Sequence, residues 1–245
     1  MPTDRTIQVV ATSADLFHAA AEEFIRVGRS AIGAQGRFTV ALSGGSTPRG
    51  LHTQLARDYA GFSWNRTFVF IGDERYVPPD HPDSNFRMAN ETLLTQVAIP
   101  PENVHRVHTE LPDPQQVAAE YEADVRKALE LRAGEFPRFD LVILGLGPDG
   151  HTASLFPGTE GLKQQSKLVI ANRVEKLNTF RISFTYPVLN NAAEVMFMVS
   201  GSDKADAVRG VLKGATPPLP AQGVQPANGK LIWMLDEAAA SRLKA

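Results

Sequence analysis

The residues best placed for chemistry are His151 and, two positions earlier, Asp149. A free imidazole has a pKa of about 6.5, so near neutral pH it can accept a proton from water and return it to a leaving oxygen. Asp149 could orient that imidazole or the attacking water. Two plainer interpretations stay open: His151 could be incidental to a glycine-rich surface turn, and Asp149 could be an Asp-Gly turn residue that bonds its own backbone.

A second segment has the composition of an anion-binding site. Its small residues let several backbone N–H groups point inward, its hydroxyls add donors, and a helix beginning at its end would present a positive terminus. A phosphate group is the natural ligand, although an ordinary strand-to-helix turn would have the same composition. The segment is neither G-x-G-x-x-G nor a Walker A sequence, which disfavours nucleotide sites. It consists of Ser43, Gly44, Gly45, Ser46 and Thr47.

A third segment, Asp73-Glu74-Arg75, combines two carboxylates with a guanidinium. Arg75 suits bidentate binding of an oxyanion, and Asp73 could hold a sugar hydroxyl. Taken alone, the triplet fits a solvated charged turn better. The other five histidines are expected at the surface, and they are His18, His52, His81, His105 and His108.

Each of the three segments follows a compact apolar run that predicts a buried β-strand. The runs are Phe38 to Leu42, Phe68 to Ile71 and the start of FDLVILG at 139–145. An unbroken apolar run is typical of a strand covered on both faces of a parallel sheet, and the third run predicts the central strand. Because ligands of open α/β sheets bind at the carboxyl ends of the strands, we expect the three segments to share one rim.

Further apolar runs alternate with helical patterns along the chain. Strands that alternate with helices predict an α/β fold with a mainly parallel sheet covered on both faces, in one domain spanning 1–245. The expected further strands are 7–11, 168–171, 181–185, 195–200 and 231–235. The expected helix starts are Ser13 or Asp15, Thr47 with Pro48, Asp83 or Ser84, Asp113 with Pro114, and Asp203.

Composition narrows the classes of function. The net charge is −2 and the basic residues are scattered, so we expect no nucleic-acid or membrane partner. The chain has no cysteine, which excludes disulfides and thiolate chemistry. The start MPTDRTIQVV lacks the layout of a signal peptide, and no apolar run approaches about 18 residues, so a cytoplasmic location is expected.

Metal and serine chemistry are both disfavoured. His151 has no second histidine at ligand spacing, and Asp73 with Asp149 would make a meagre metal shell. There is no G-x-S-x-G elbow, because Ser43 precedes its glycines. We therefore expect neither a metal nor an organic cofactor.

Four ordered segments together resemble the 6-phosphogluconolactonase family. They read ALSGGSTPRGLH at 41–52, FIGDERYVPPDHPDSNFRMANETLL at 70–94, DLVILGLGPDGHTASLFPGT at 140–159 and KLIWMLDEAAA at 230–240. The resemblance implies hydrolysis of 6-phospho-D-glucono-1,5-lactone to 6-phospho-D-gluconate in the pentose phosphate pathway, without a cofactor. It also implies a three-layer α/β sandwich related to the sugar-phosphate isomerases, which is Rossmann-like.

The resemblance also implies roles for individual residues. Ser43 to Thr47 match the family's phosphate loop and Arg75 its rim arginine, while His151 matches the proposed general base, with Asp149 in the matching acidic position. Arg181 and Lys204 resemble two cations that close on the phosphate. This chain departs from the family before Arg181, where Glu175-Lys176-Leu177-Asn178-Thr179 replaces the usual prolines.

The sequence disfavours two alternative functions. Glucosamine-6-phosphate deaminases share the sheet and the D-G-H turn but carry a glutamate five residues after the histidine, where this chain has Phe156. A non-catalytic sugar-phosphate sensor would need a helix-turn-helix segment, for which the chain has neither spare length nor a basic face. We expect a monomer or homodimer acting on a small sugar-phosphate lactone.

Overall fold

Seven parallel strands form the central sheet of the structure, a computed structural model that describes residues 4–243. The strand expected at 139–145 lies in the middle of this sheet, as predicted. In chain order the strands of the described residues are β1 (Asp4–Val10), β2 (Phe38–Leu42), β3 (Thr67–Ile71), β4 (Asp73–Arg75), β5 (Val104–His105), β6 (Leu141–Leu144), β7 (Val169–Val174), β8 (Thr179–Phe184), β9 (Glu194–Val199) and β10 (Lys230–Asp236). The order across the sheet is β1-β10-β9-β6-β2-β3-β5.

Helices flank both faces of the central sheet, which makes the fold the three-layer α/β sandwich that was predicted. The inner strands β2, β6 and β9 are buried along their whole length, because helices cover them on either side. The helices are α1 (Ser13–Gln35), α2 (Ser46–Asp58), α3 (Asn85–Ala89), α4 (Pro114–Ala128), α5 (Tyr186–Asn190), α6 (Ala205–Lys213) and α7 (Glu237–Ala240). No helix within 4–243 is long and apolar enough to cross a membrane.

Helix starts follow local hydrogen bonding, and two of the expected ones are confirmed. The Asp113 side chain accepts from the backbone N–H of Gln115 where α4 begins, and the Ser84 hydroxyl accepts from the N–H of Arg87 where α3 begins. Helix α1 is capped by Thr12 instead of Ser13 or Asp15, since only a residue outside the first turn can accept from its amides.

The other two expected caps are wrong. Helix α2 begins at Ser46 with Gly45 as its cap, so Thr47 already lies inside the helix. Helix α6 is preceded by a 3₁₀ turn over Ser202–Lys204, which places Asp203 in that turn. Gly45 brings no side chain to the amides at the start of α2, and those amides stay free for another acceptor.

A second, antiparallel sheet corrects the expected placement of two strands. The strands expected at 168–171 and 181–185 are β7 and β8; β8 pairs with β4, and β7 pairs with β8, so neither joins the central sheet. A parallel crossover needs a dozen or more residues, whereas β7 and β8 are joined by a short hairpin loop. This small sheet sets Arg75 directly opposite Arg181.

Of the histidines expected at the surface, His52 is buried and His105 is half-buried. His52 in α2 has 0% exposure, and its Nδ1 lies 3.3 Å from the hydroxyl of Thr92. His105 stacks on Phe70 with ring centroids 4.4 Å apart, and its Nδ1 lies 2.9 Å from the Asp124 carboxylate. The sequence does not predict the burial of either histidine, because no local pattern shows whether a single histidine on a helix or short strand faces the core.

Burial of His52 predicts a loss of stability in acid. Burial, with a smaller contribution from the charge of Arg49, lowers the pKa of His52 from 6.5 to about 4. Above pH 6.5 the imidazole is neutral whether the chain is folded or unfolded. As the pH falls from 6.5 to 4, only the unfolded chain binds the proton, so the free energy of unfolding should fall by up to about 3 kcal/mol from this group.

Urea unfolding of wild type and His52→Leu at pH 7 and pH 5 measures this contribution. We expect the difference between the two pH values to be smaller in the variant, whatever its stability at pH 7. An equal pH dependence in both proteins would show that His52 does not contribute.

Candidate active site

A cleft of about 250 Å³ opens where four neighbouring parallel strands end. The segments after β2, β3, β6 and β9 all contribute to its walls, as expected when carboxyl ends share one edge of a sheet. Ser43, Gly44, Gly45, Ser46, Thr47, Asp73, Arg75, His151 and Lys204 line this cleft. Asp149 and Arg181 line an adjoining cavity of about 370 Å³, which shares Asp73, Arg75, Pro148, His151 and Ala153 with the first.

The amino terminus of α2 forms one end of the cleft. Gly45 caps this helix with a φ of +105°, a conformation that glycine adopts at little cost, and supplies no side-chain acceptor. The first amides of α2 therefore face the cleft with the positive end of the helix behind them. Ser43 differs from the expectation, because its buried hydroxyl already donates to the carbonyl of Ile143 at 2.8 Å. Anion binding would thus rest on the backbone from Gly44 onward and on the hydroxyls of Ser46 and Thr47.

Gly44 is required by a close neighbour that the sequence did not reveal. A Cβ at this position would lie 1.7 Å from Oδ1 of Asn85. The Asn85 amide in turn donates to the carbonyl of Asp73 at 2.8 Å. Asn85 therefore ties the segment after β2 to the segment after β3, a contact between distant parts of the chain that no local pattern predicts.

Glu74 holds the backbone of the site and does not face the rim. Only 1% of it is exposed, and its carboxylate accepts from the backbone N–H groups of Arg75, Asn85 and Phe86 at 2.7–2.8 Å. Burial raises the pKa of Glu74, and the backbone hydrogen bonds oppose that rise. The carboxylate secures the start of α3 beside the cleft.

Asp73 and Arg75 face the cleft from β4. The Asp73 carboxylate accepts from the Ser154 hydroxyl at 2.6 Å, which fixes its orientation. One guanidinium nitrogen of Arg75 donates to the carbonyl of Asp83 at 2.9 Å. Burial, followed by the charge of Arg75, lowers the pKa of Arg181 across the small sheet. Two guanidinium groups held this close together favour an anion between or beside them.

Lys204 and Arg181 line different cavities, and His151 lines both. Lys204 lines the cleft with the start of α2, and its Nζ lies 3.1 Å from the Asp203 carboxylate. Arg181 lines only the adjoining cavity, on the side of the β7–β8 hairpin. The structure thus brings Lys204 to the predicted phosphate loop but not Arg181.

Asp149 and His151 form a hydrogen-bonded pair. Nδ1 of His151 lies 2.5 Å from Oδ1 of Asp149, and the backbone N–H of His151 donates to the same oxygen at 3.2 Å. Asp149 therefore both closes the turn and orients the ring. An ionised carboxylate is only an acceptor, so Nδ1 carries the proton and Nε2 carries the lone pair. The side chain of His151 is 26% exposed, which leaves Nε2 accessible from the cleft.

Two further side chains surround this pair. The Phe156 ring stacks on the imidazole of His151 with centroids 4.1 Å apart. The Lys176 ammonium forms an ion pair with the second oxygen of Asp149. Partial burial acts to raise the pKa of Asp149, but the hydrogen bonds from Lys176 and His151 outweigh it and the pKa falls to about 2. The carboxylate is therefore ionised at neutral pH and can stabilise an imidazolium.

The glycine-rich turn leaves little room beside the imidazole. The N–H of Gly147 donates to the His151 carbonyl at 2.8 Å, and a Cβ on Gly147 would lie 2.0 Å from Cε1 and Nδ1 of the ring. Only glycine lets the backbone pass this close to the side chain. The orientation of the His151 ring therefore depends on the conformation of this turn.

Gly147→Ala should therefore displace the ring of His151 and lower the kcat of any reaction that depends on it by about 10–10²-fold, since errors of about 1 Å cost that much. Gly61→Ala is the control, because a Cβ there meets nothing within 4 Å and Gly61 does not line the cleft. Steady-state kinetics and thermal unfolding of both variants make the test. Equal activity in the two variants would contradict the packing argument.

The arrangement as a whole suits general-base attack by water on an anionic substrate. One end offers the start of α2 and Lys204 to an anion, and the imidazole of His151, oriented by Asp149, lies beside the same cleft. Within residues 4–243 no group of three or more His, Asp or Glu side chains is arranged to hold a metal ion.

Comparison with known proteins points in the same direction. Residues 11–233 match the family model described as glucosamine-6-phosphate isomerases/6-phosphogluconolactonase. The chain is 45% identical over 216 residues to a 6-phosphogluconolactonase of Nostoc sp., covering 87% of this chain and 88% of that protein. It is 40% identical over 216 residues to human 6-phosphogluconolactonase, covering 86% and 83%. The structure of 6-phosphogluconolactonase from Trypanosoma cruzi superposes with a TM-score of 0.90 at 27% identity, covering 100% and 99%.

Proposed function

The chain belongs to the family of glucosamine-6-phosphate isomerases and 6-phosphogluconolactonases, and we propose on that premise that it hydrolyses 6-phospho-D-glucono-1,5-lactone to 6-phospho-D-gluconate, a step of the pentose phosphate pathway. The observation that carries the proposal is the Asp149–His151 pair, whose free Nε2 lies on the same cleft as the start of α2. One end of that cleft suits a phosphate and the other suits attack on a carbonyl.

The phosphate is anchored at the end of the cleft formed by α2. Gly45, Ser46 and Thr47 line this end of the cleft, the helix terminus is positive, and Lys204 adds a full charge. Binding energy from this non-reacting group holds the lactone ring in place beside His151. Arg181 lines the adjoining cavity with His151, and its contact with the phosphate stays a prediction.

Hydrolysis proceeds with His151 as general base. Nε2 accepts a proton from water as the water oxygen bonds to the lactone carbonyl carbon, and Asp149 stabilises the imidazolium that forms. Arg75 lines both cavities and is placed to stabilise the negative charge that develops on the carbonyl oxygen. The bond from the carbonyl carbon to the ring oxygen then breaks, and that oxygen takes the proton from His151.

The two alternative functions have less support. Phe156 stands where deaminases carry a glutamate, and its ring stacks on His151 with no titratable group to offer. A sensor binds its sugar phosphate without a general base. In this chain Asp149 orients the imidazole of His151 through a contact of 2.5 Å between Oδ1 and Nδ1, as a general base requires.

Titration of released acid in a pH-stat tests the proposal. Freshly prepared 6-phosphogluconolactone is added to the wild-type protein, and the spontaneous hydrolysis rate is subtracted. We expect rapid enzymatic hydrolysis and no ammonia from glucosamine 6-phosphate. A rate equal to the spontaneous one, with tight binding of the sugar phosphate, would favour the sensor.

The expected cytoplasmic location and the expected monomeric or homodimeric state remain predictions. Cell fractionation tests the first, and analytical ultracentrifugation tests the second.

A further inference from the structure

The loop between β7 and β8 is built to deliver one side chain toward His151. Val174 and Thr179 pair at the end of the hairpin, and residues 175–178 form its tip with a 3₁₀ turn over Glu175–Leu177. Asn178 closes the turn at a φ of +48°, and its side-chain oxygen accepts from Arg173 at 2.5 Å. The loop is thus held from its own strands, and Lys176 projects from its tip into the cavity that contains His151.

Lys176 makes two contacts there, and both lead to the imidazole. Its ammonium pairs with Oδ2 of Asp149, while Oδ1 of the same carboxylate binds Nδ1 of His151. The ammonium also lies 4.8 Å from the centroid of the Phe156 ring, which stacks on His151 at 4.1 Å. A cation over an aromatic face is attracted to it. Lys176 therefore contacts both Asp149, which is hydrogen-bonded to the imidazole, and Phe156, which stacks on it.

We propose that Lys176 is a positioning residue for lactone hydrolysis, one that fixes the Asp149 carboxylate against His151 and holds the imidazole in its neutral, proton-accepting form. This inference rests on the proposed function. With Lys176 in place, one oxygen of the Asp149 carboxylate binds Nδ1 of His151 and the other binds the Lys176 ammonium. Rotation of the carboxylate would therefore break both contacts. The ammonium also opposes a second positive charge on the neighbouring ring.

The charge around His151 sets the direction of the expected pH effect. Removing Lys176 takes away one nearby cation and leaves Asp149 attracted to the imidazole alone, and both changes favour the imidazolium. The acid limb of the kcat/KM profile should therefore move to higher pH. The other charged groups that line the two cavities around His151 stay in place, and they are Asp73 and Arg75 on β4, Arg181 on β8 and Lys204 before α6.

Lys176→Met is the principal test. We expect the midpoint of the acid limb to rise by about half to one pH unit, kcat at the plateau to fall about tenfold because Asp149 is no longer held, and KM to change less than twofold. KM should hold because Lys176 does not line the cleft that contains the start of α2. Lys176→Arg keeps the charge and should restore both the midpoint and most of kcat.

Two controls separate this role from a general disturbance. Lys163→Met removes the same charge at a side chain that is 75% exposed and pairs with Glu160. Glu175→Gln alters the same hairpin tip at a residue that contacts Arg173 and is 82% exposed. Both should keep the wild-type acid limb.

An NMR titration of the His151 imidazole gives a readout that does not depend on turnover. We expect the midpoint in Lys176→Met to lie above that of wild type by the same half to one unit, about as large as the kinetic shift. An unmoved NMR midpoint, or an acid limb equal to that of Lys163→Met, would overturn the inference. If wild type fails to hydrolyse the lactone, the proposed function fails, and the NMR midpoint still decides whether Lys176 controls the imidazole.

Discussion

His151→Ala should lower kcat for 6-phosphogluconolactone by about 10²–10⁴-fold, the range that a general base supplies. The variant keeps the start of α2 and Lys204, so KM should change by less than about threefold, since these groups bind the non-reacting phosphate. Residual hydrolysis above the spontaneous rate is expected, because orientation and charge stabilisation survive without the base. Single-turnover kinetics with excess enzyme measures the chemical step directly.

The control for that variant is His108→Ala, which changes an exposed histidine far from the cleft and should leave kcat unaltered. The His151→Ala protein should also unfold at nearly the wild-type temperature, since the ring is partly exposed and only one face is stacked. A wild-type single-turnover rate in His151→Ala would remove the imidazole from the mechanism, whatever the rest of the site does.

Removing the phosphate from the substrate should have an effect of at least the same size. Glucono-1,5-lactone cannot use the amides of α2 or the ammonium of Lys204, and hydrogen bonds to a charged group contribute about 1.5–3 kcal/mol each. Two or three such contacts amount to about 3–9 kcal/mol, which corresponds to a loss in kcat/KM of about 10²-fold or more. The rates of both lactones, measured with the same enzyme preparation and corrected for spontaneous hydrolysis, provide the comparison.

Lys204→Met shows whether the loss occurs at the predicted end of the cleft. It should raise KM for the phosphorylated lactone about tenfold or more and leave the slow hydrolysis of glucono-1,5-lactone unchanged. Lys213→Met, at an exposed position near the end of α6, should affect neither substrate. Equal hydrolysis of the two lactones by wild type would be incompatible with anchoring through the phosphate.

The parts of the fold that follow from local pattern were predictable. Strand β2 has the predicted bounds, Phe38–Leu42, because glycines lie close to both ends of its mostly apolar run. The cap at Asp113 was also predicted, since the hydroxyl- or carboxylate-bearing residue before a proline is a local signal. The shared rim followed from the topology rule for parallel strands.

The parts that depend on contacts between distant segments were not predictable. Glu74 looked like a rim carboxylate, but it is buried, and its carboxylate accepts from the backbone N–H groups of Asn85 and Phe86, which lie near it only in the fold. The sequence does not reveal the roles of Asn85 and Lys176. Asn85 reaches the site from the start of α3, and Lys176 reaches it from the tip of the β7–β8 hairpin. Arg181 was expected at the phosphate, and the antiparallel pairing of β8 with β4 places it in the adjoining cavity.

The segment before Arg181, where this sequence differs from the family's usual prolines, has a distinct conformation in the structure. The segment Glu175-Lys176-Leu177-Asn178-Thr179 forms the tip of the β7–β8 hairpin, where a residue with positive φ closes the turn. Asn tolerates that conformation far better than most residues, and proline cannot adopt it. The unusual sequence therefore corresponds to the loop that carries Lys176 to Asp149.

The central claim is that one sugar phosphate reaches from the start of α2 to Nε2 of His151. A crystal structure with the product, 6-phosphogluconate, tests it most directly. We predict the phosphate on the amides of Ser46 and Thr47 and on Lys204, with the new carboxylate within about 3 Å of Nε2. A phosphate bound away from the start of α2, or a carboxylate out of reach of His151 while the phosphate occupies the start of α2, would contradict it.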